Sequence, residues 1–293
     1  MIQTLASKHL QWLIANRPTP EELYALKDTV TFPPFLVEEI TAPSHRPKVV
    51  EYDEFLYLAL HFPFYDSDER TVRSREIDFV INKDILLTVQ YDPIPPLEKV
   101  RSALADEEAR AHYFSTSAQA LLNHLLSDLF EVTFTELDRI KEEIDTIEER
   151  IYQGLGRETI EEISRVKRNL INFRSAMHPQ HAMLEYVREY KELSSLIHQY
   201  HQLINLLESH TETLNALDQT NQSLISMYTN EITKTLTIMA FTTFPLMLFT
   251  SLFGMNTSIL PIVGRPNDFW IIVGIMVLAT GAMFAFFKNK KWI

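Results

Sequence analysis

Three groups of residues in this 293-residue chain could do chemistry with a metal ion or its waters. The first is a line on one stretch. Stepping by three or four from Asn230 reaches Thr233, Leu236 or Thr237, Ala240, Phe244, Met247, Ser251 and Gly254, which share a helical face. The line mixes polar, small and bulky apolar side chains. It reads either as ordinary packing of small polar residues between membrane helices, or as a pore lining in which Leu236, Phe244 and Met247 form narrow apolar rings that gate by dewetting. Spacing alone leaves both open. The second group is His198 and His201, three apart, a pair that could bind a softer metal such as Zn²⁺ and that more often marks a partly solvated helix face. The third is His178, His181 and Glu185, whose spacing departs from H-E-x-x-H and is interrupted by Pro179.

The line sits in an element built for lipid. Leu236 to Phe253 is an uncharged run of 18 residues, and Phe269 to Phe287 is a second of 19. At ~1.5 Å per residue these span ~27 and ~28 Å, close to the hydrocarbon thickness of a bilayer. Backbone polar groups in lipid must be satisfied within the segment, so each run predicts a transmembrane helix. Lys234 precedes the first run, and Lys288, Lys290 and Lys291 follow the second, whereas the loop Thr257 to Asp268 holds Arg265 and Asp268. Cationic flanks stay on the cytoplasmic side, so both termini are expected inside a cell membrane. Pro245 removes one backbone donor from the first run.

Composition narrows the function. The net charge of −12 argues against nucleic acid as a partner. There is no Cys, hence no disulfide and no thiolate metal site, and six Gly leave no phosphate-cradling loop. No activated nucleophile cluster is visible. The segment MIQTLASKHLQWLIANRPTP has no apolar core long enough for a cleaved signal, so the first membrane run is expected to target the chain.

Residues 1–45 predict helices broken by prolines, including one over Ser7 to Asn16. A helix start is expected at Thr19-Pro20-Glu21-Glu22, and a short helix over Phe35 to Thr41. Residues 47–91 predict strands, with turns at Asp53-Glu54 and Asn82-Lys83-Asp84, and the acids there are read as turn and solvent-face markers. Beyond Pro93, Pro95 and Pro96 helical periodicity takes over, interrupted at Gln153-Gly154-Leu155-Gly156 between an arm from Ser117 to Tyr152 and a return arm from about Glu158. The first arm is acidic, and the reading preferred for any one acid is a solvated face with pairs such as Glu136–Arg139 and Lys141–Asp145. Met183 to Thr235 predicts one long helix with an apolar stripe, continuous with the first membrane run, that needs partner helices or an oligomer to cover it. The expected division is a cytoplasmic α/β domain (1–116), an acidic helical hairpin (117–182), a stalk helix (183–235), a first membrane helix (236–256), an external loop (257–268), a second membrane helix (269–287) and a basic cytoplasmic tail (288–293).

Asn230-Glu231-Ile232-Thr233-Lys234-Thr235-Leu236-Thr237, Pro245, Gly254-Met255-Asn256 and the closing Lys288-Asn289-Lys290-Lys291-Trp292-Ile293 resemble the CorA family of divalent-cation channels. Arg75 to Gln90 and Arg168 to Pro179 are also similar to family segments, so the resemblance covers nearly the whole chain. It implies a CorA-like funnel: a homopentamer with α/β cytoplasmic domains, long stalk helices, first membrane helices lining a pore and second ones ringing them. It implies hydrated Mg²⁺ as the usual cargo, with Co²⁺ and Ni²⁺ able to pass, and no resident cofactor beyond a possible regulatory Mg²⁺. Gly254, Met255 and Asn256 would form the outer mouth, where amide oxygens of Asn256 meet an ion that gives up its waters reluctantly. Asn230 would form a second polar ring, and Lys288, Lys290 and Lys291 a basic collar.

Departures from the family pattern fall at Thr233 and Met247, where relatives often carry Met and Thr. A further departure is at Ser195, with Ser194 beside it, where some relatives hold an Asp of an inter-subunit Mg²⁺ sensor. Sensing is therefore expected to be weaker here or built elsewhere. The outer loop carries its acid, Asp268, only at its far end. The competing functions are a zinc transporter of the same fold, with or without proton coupling, and a membrane-anchored scaffold or enzyme.

Overall fold

The computed structural model describes residues 2–7, 10–28, 30, 32–44, 46–52, 54–187, 193–255, 262–264, 266–290 and 292. The chain divides into two compact units, Met1–Asp218 and Gln219–Ile293.

The first unit is built on a six-stranded sheet of order β1-β2-β6-β5-β4-β3: β1 Ile2–Ser7, β2 Leu10–Asn16, β3 Lys48–Glu51, β4 Leu56–Asp66, β5 Thr71–Ile81 and β6 Ile85–Gln90. Every pairing is antiparallel except β2 with β6. The helix predicted over Ser7 to Asn16 is therefore a strand. Trp12, Leu13, Ile14 and Ala15 are all buried, because β2 lies inside the sheet with both faces covered. A strand covered on both faces reads as an unbroken apolar run, and Leu10, Leu13 and Ile14 mimic a helical stripe by accident. The β3–β4 and β5–β6 connections fall where the turns are predicted, at Asp53-Glu54 and Asn82-Lys83-Asp84, whereas the β4–β5 turn between Asp66 and Thr71 was not foreseen. Asn82 closes the β5–β6 connection, its side chain accepting from the N–H groups of Asp84 and Ile85 at 2.9 and 2.7 Å.

One face of the sheet carries α1 (Pro20–Tyr24) and α2 (Pro34–Glu39), which share a core with Leu13, Tyr57, Val80, Leu87 and Val89 through Leu23, Leu36, Val37 and Ile40. α1 starts as predicted: Thr19 accepts from the N–H of Glu22 at 3.3 Å, and Glu22 accepts from the N–H of Thr19 at 3.2 Å, a reciprocal capping box. The other face carries α5 (Ala118–Tyr152) and α6 (Ile160–Met177), preceded by α3 (Pro95–Ala103) and α4 (Glu107–Tyr113). Phe62 of β4 meets Phe130 of α5 edge-on at 5.9 Å. Ser117 caps α5 through the N–H of Ala120, and Gly154, at φ +85°, makes the turn toward α6 that a side chain would strain. The acids of α5 pair within their own helix at Glu136–Arg139, Arg139–Glu143 and Lys141–Asp145, and with α6 at Glu143–Arg165, while Arg150 of α5 pairs with Glu162 of α6.

Side-chain amides stitch the helical layer to exposed strand edges. β5 runs past the end of β6, and there Asn169 of α6 accepts from the N–H of Val72 at 3.1 Å while Asn172 donates to its carbonyl at 3.0 Å. β4 runs past the end of β3, and there Gln180 bonds both the N–H and the carbonyl of His61. Backbone groups that no strand reaches are thus paired.

α7 (His181–Val187) and α8 (Ser194–Phe253) replace the single helix expected from Met183. His181 and His201 have ring centroids 5.5 Å apart. Twenty residues of one helix would separate them by ~30 Å, so the chain reverses between them; residues 188–192 lie outside the described residues. The 60-residue α8 is ~90 Å long. Its first turns are anchored by buried Leu196, Tyr200, Leu203, Leu207, Leu214 and Leu217, and Lys167 of α6 pairs with Asp218 at 3.7 Å.

The second unit consists of the remainder of α8 and α9 (Asp268–Asn289). Both are long and apolar enough to cross a membrane, and the most apolar window of each is entirely unburied.

Candidate functional site

The line from Asn230 to Gly254 lies on α8. Asn230, Thr233, Leu236, Ala240, Phe244, Met247, Ser251 and Gly254 are all exposed in the single chain, whereas Thr237 is half-buried at the edge of the line. Another face, bearing Ile238, Thr242, Pro245, Leu246, Phe249 and Phe253, is partly covered. The bulky members of the line are markedly open, with Leu236, Phe244 and Met247 at 61, 69 and 58 % exposure. Each would gain about 1.5–3 kcal/mol by leaving water. Met239, Phe241 and Leu248 on other faces are equally exposed, as a helix facing lipid requires.

The hydroxyls inside the apolar stretch are satisfied locally. Thr237 donates to the carbonyl of Thr233 at 2.8 Å, Thr242 to Ile238 at 2.7 Å, Thr243 to Met239 at 2.6 Å, and Thr250 to Met247 at 2.9 Å. That makes them tolerable in hydrocarbon and leaves their oxygens able to accept. Pro245 has no N–H, so the carbonyl of Phe241 loses its ordinary helical donor.

At the far end, a Cβ added to Gly254 would lie 2.9 Å from the carbonyl oxygen of Thr250, which accepts the N–H of Gly254 at 3.0 Å. Only a glycine closes the helix this way. Met255 is exposed; Asn256 lies outside the described residues, as does Lys291. Lys288 and Lys290 are exposed at the end of α9, where Phe287 stacks on Trp292 at 5.9 Å. Asp268 starts α9 and accepts from the N–H groups of Gly264 at 3.1 Å and Phe269 at 2.7 Å, so much of its carboxylate is engaged in the loop.

One feature went unread in the sequence. Gln219, Gln222, Ser223 and Ser226 continue the line of Asn230 along one open face of α8. Their spacing of three and four was the available signal.

Two titratable clusters lie in the first unit. Glu76 and Asp78, expected at turns or in solvent, are buried on β5 beneath α2. The hydroxyl of Tyr91 donates to Asp78 at 2.6 Å, the N–H of Ser44 to Glu76 at 2.7 Å, and His61 lies 3.3 Å from Glu76. Burial pushes Asp78 well above the ordinary carboxylate range, and the charge of Glu76 adds to this. Burial also opposes ionisation of Glu76, but hydrogen bonds from His61 and Ser44 together outweigh it and hold its pKa below the usual value. Burial thus favours the protonated form of Asp78, while the bonds to Glu76 favour its ionised form.

The second cluster joins His181, Glu185 and His201. It draws His181 and Glu185 from one of the groups noted in the sequence and His201 from the other, whereas His178 is not part of it, and His198, though exposed, is not either. Ser195 donates to the side-chain oxygen of Asn123 at 3.4 Å.

Residues 7–290 match the family described as CorA-like Mg²⁺ transporter protein. The chain belongs to this family. The cobalt/magnesium transport protein CorA of Thermotoga maritima is 25 % identical over 278 residues, covering 89 % of this chain and 76 % of the relative. Among solved structures, the complete CorA magnesium transporter of Methanocaldococcus jannaschii superposes with a TM-score of 0.84 at 22 % identity, covering 99 % of this chain and 94 % of that one. Full-length CmaX superposes with a TM-score of 0.75 at 17 % identity, covering 97 % and 89 %. The chain thus has the CorA fold: an N-terminal α/β domain and a long helix that continues into the first of two C-terminal membrane helices. CorA-family proteins are membrane transporters of divalent cations, not enzymes, so the enzyme reading is set aside.

Proposed function

We propose that five copies of this chain assemble around a central pore lined by α8, and that the pore conducts hydrated Mg²⁺ into the cell down the membrane potential. The observation that carries this reading is the uncovered face of α8, which runs from the polar residues Gln219 and Ser226 through Asn230 and Thr233 to Ser251 and Gly254. A lone chain leaves it exposed, and a ring of copies would turn it toward a shared axis. Hydroxyl and amide oxygens along it can accept hydrogen bonds from the waters of an ion that dehydrates reluctantly. Leu236, Phe244 and Met247 would form apolar constrictions that close by dewetting.

Gly254, Met255 and Asn256 would make the outer mouth, with the Asn256 amides holding a hydrated ion loosely enough to release it. Lys288, Lys290 and Lys291 would anchor the cytoplasmic side and place both termini inside. In that arrangement 1–116 is the cytoplasmic α/β domain, 117–182 its helical hairpin and 257–268 the external loop. A divalent ion gains about 4.6 kcal/mol per 100 mV, so no energy-coupling machinery is required. Mg²⁺ is cargo here, and a resident cofactor has no part in the scheme.

The test is ion flux into proteoliposomes holding a Mg²⁺-sensitive dye under an imposed inside-negative potential. Potential-dependent Mg²⁺ entry that Asn256→Ala abolishes is expected. Mg²⁺ impermeability with Zn²⁺ entry that follows a proton gradient would overturn the Mg²⁺ assignment, and unaltered Mg²⁺ entry through Asn256→Ala would overturn the proposed mouth.

A further inference from the structure

His181 and Glu185 stand four apart on α7, so they project from one face. His201 comes from α8. Its Nε2 lies 3.7 Å from Oε1 of Glu185, and its ring lies 5.5 Å from that of His181. One ligand atom from each residue falls within 4.8 Å of the other two. We propose that His181, Glu185 and His201 bind a borderline transition cation of the Zn²⁺ class, in a site separate from the conduction path that ties α7 to the opening turns of α8.

The donor chemistry selects the ion. Two imidazoles and a carboxylate suit Zn²⁺, Co²⁺ or Ni²⁺, whereas Mg²⁺ takes oxygen ligands and keeps several of its waters. Three protein donors leave a fourth position open, and the two exposed histidines leave it accessible to water. A tetrahedral ion with donors at ~2.1 Å holds them ~3.4 Å apart, so the set must close by no more than about 1.4 Å from its 4.8 Å limit, within reach of side-chain rotation.

The frame behind the donors is fixed. Gln180, next to His181, is bonded to both backbone groups of His61 on β4. Tyr200, next to His201, is buried and directs its hydroxyl to the carbonyls of Met177 and His178 at 3.4 Å. The Tyr200 ring also touches both histidines, with centroids 5.8 Å from His181 and 5.7 Å from His201. Neighbours held in this way orient metal ligands. A surface ion pair of Glu185 with His201 would need no converging His181.

The experiment uses the full chain in detergent, stripped with chelator and titrated with Zn²⁺ by calorimetry in millimolar Mg²⁺. One Zn²⁺ per chain is expected, with an absorption-edge spectrum showing nitrogen and oxygen donors at ~2.0–2.1 Å. His181→Asn combined with His201→Asn should weaken binding at least ~10-fold, as should Glu185→Gln, which preserves size if the double variant does not fold. His198→Asn should bind as the parent does. Asn256→Ala should also retain the Zn²⁺, which keeps the result independent of the proposed pore. No Zn²⁺ bound in excess Mg²⁺, or undiminished binding by Glu185→Gln and the double variant, or loss on His198→Asn, would overturn the assignment.

Discussion

Gly254→Ala tests whether the end of the first membrane helix is built to tolerance. The added Cβ would sit 2.9 Å from the Thr250 carbonyl oxygen, and ordinary contact begins at 3.4 Å, an overlap of 0.5 Å. The obstacle is backbone, so no side chain can swing aside. Retreat is also costly, because the same oxygen accepts the Gly254 N–H at 3.0 Å. Overpacking of this kind costs about 1–3 kcal/mol, and stretching the bond adds up to ~1 kcal/mol. A displacement of half an ångström at Gly254 passes directly to Met255 and Asn256, and functional constellations tolerate about that much error. With ~1.4 kcal/mol per tenfold in rate, a cost of this size carried into the conducting state should lower Mg²⁺ influx at least ~5-fold. Thermal unfolding of the N-terminal unit, whose core lies elsewhere, should not move. Gly274 and Gly281 of α9 supply controls, since a Cβ at either meets nothing within 4 Å. Alanine there should leave influx unchanged. Wild-type influx through Gly254→Ala would refute the claim that this glycine sets the geometry of the mouth.

Asp78→Asn, which keeps an acceptor for the Tyr91 hydroxyl, should be tolerated better than Asp78→Ala, which removes that acceptor at a cost of ~1–3 kcal/mol; urea titration of the purified chain separates the two. The pH dependence follows from the signs of the shifts. The raised pKa of Asp78 means that its contribution is complete below the ordinary aspartate range and is lost as pH climbs through its folded value, a loss that Asp78→Asn should remove. The lowered pKa of Glu76 gives the opposite slope, with stability present above the ordinary glutamate range and lost as pH falls through its folded value. Gln180→Ala should cost about 2–3 kcal/mol in the same titration, because it strands the N–H and carbonyl of His61 at the edge of β4. Thr19→Ala should cost ~1 kcal/mol through loss of the α1 capping box.

What the sequence revealed and what it hid divide along the range of the interactions involved. The membrane helices, the 35-residue α5, the Gly154 turn, the α1 cap and the Asn82 hairpin depend on neighbours within a few residues, and all were legible. β2 was misread because its burial comes from β1, β6 and helices far along the chain, which erased the alternation that marks a strand. Glu76 and Asp78 were misread for a related reason. Nothing local shows that His61, Tyr91 and the Ser44 backbone will surround them. His201 was paired with His198 on helical spacing, and its actual neighbours are brought in by a chain reversal that no residue of α7 announces. The line on α8 was legible as spacing, but its meaning was not, because a pore lining and a packing seam share one periodicity.

The same division of range explains how α8 can serve two settings. Up to Leu217 its apolar stripe is buried against the chain's own helices, so the early turns need nothing from outside. Beyond the half-buried Leu224 and Ile225 the stripe continues to Tyr228 and Ile232, at 49 and 59 % exposure. A helix cannot bury its own stripe, and Tyr228 and Ile232 come before the uncharged run that would enter lipid. Lipid therefore accounts for the exposed residues after Leu236 but not for these two. In the assembly proposed above, a second copy of α8 would offer them a matching stripe, so the same association that builds the pore would also cover the stalk.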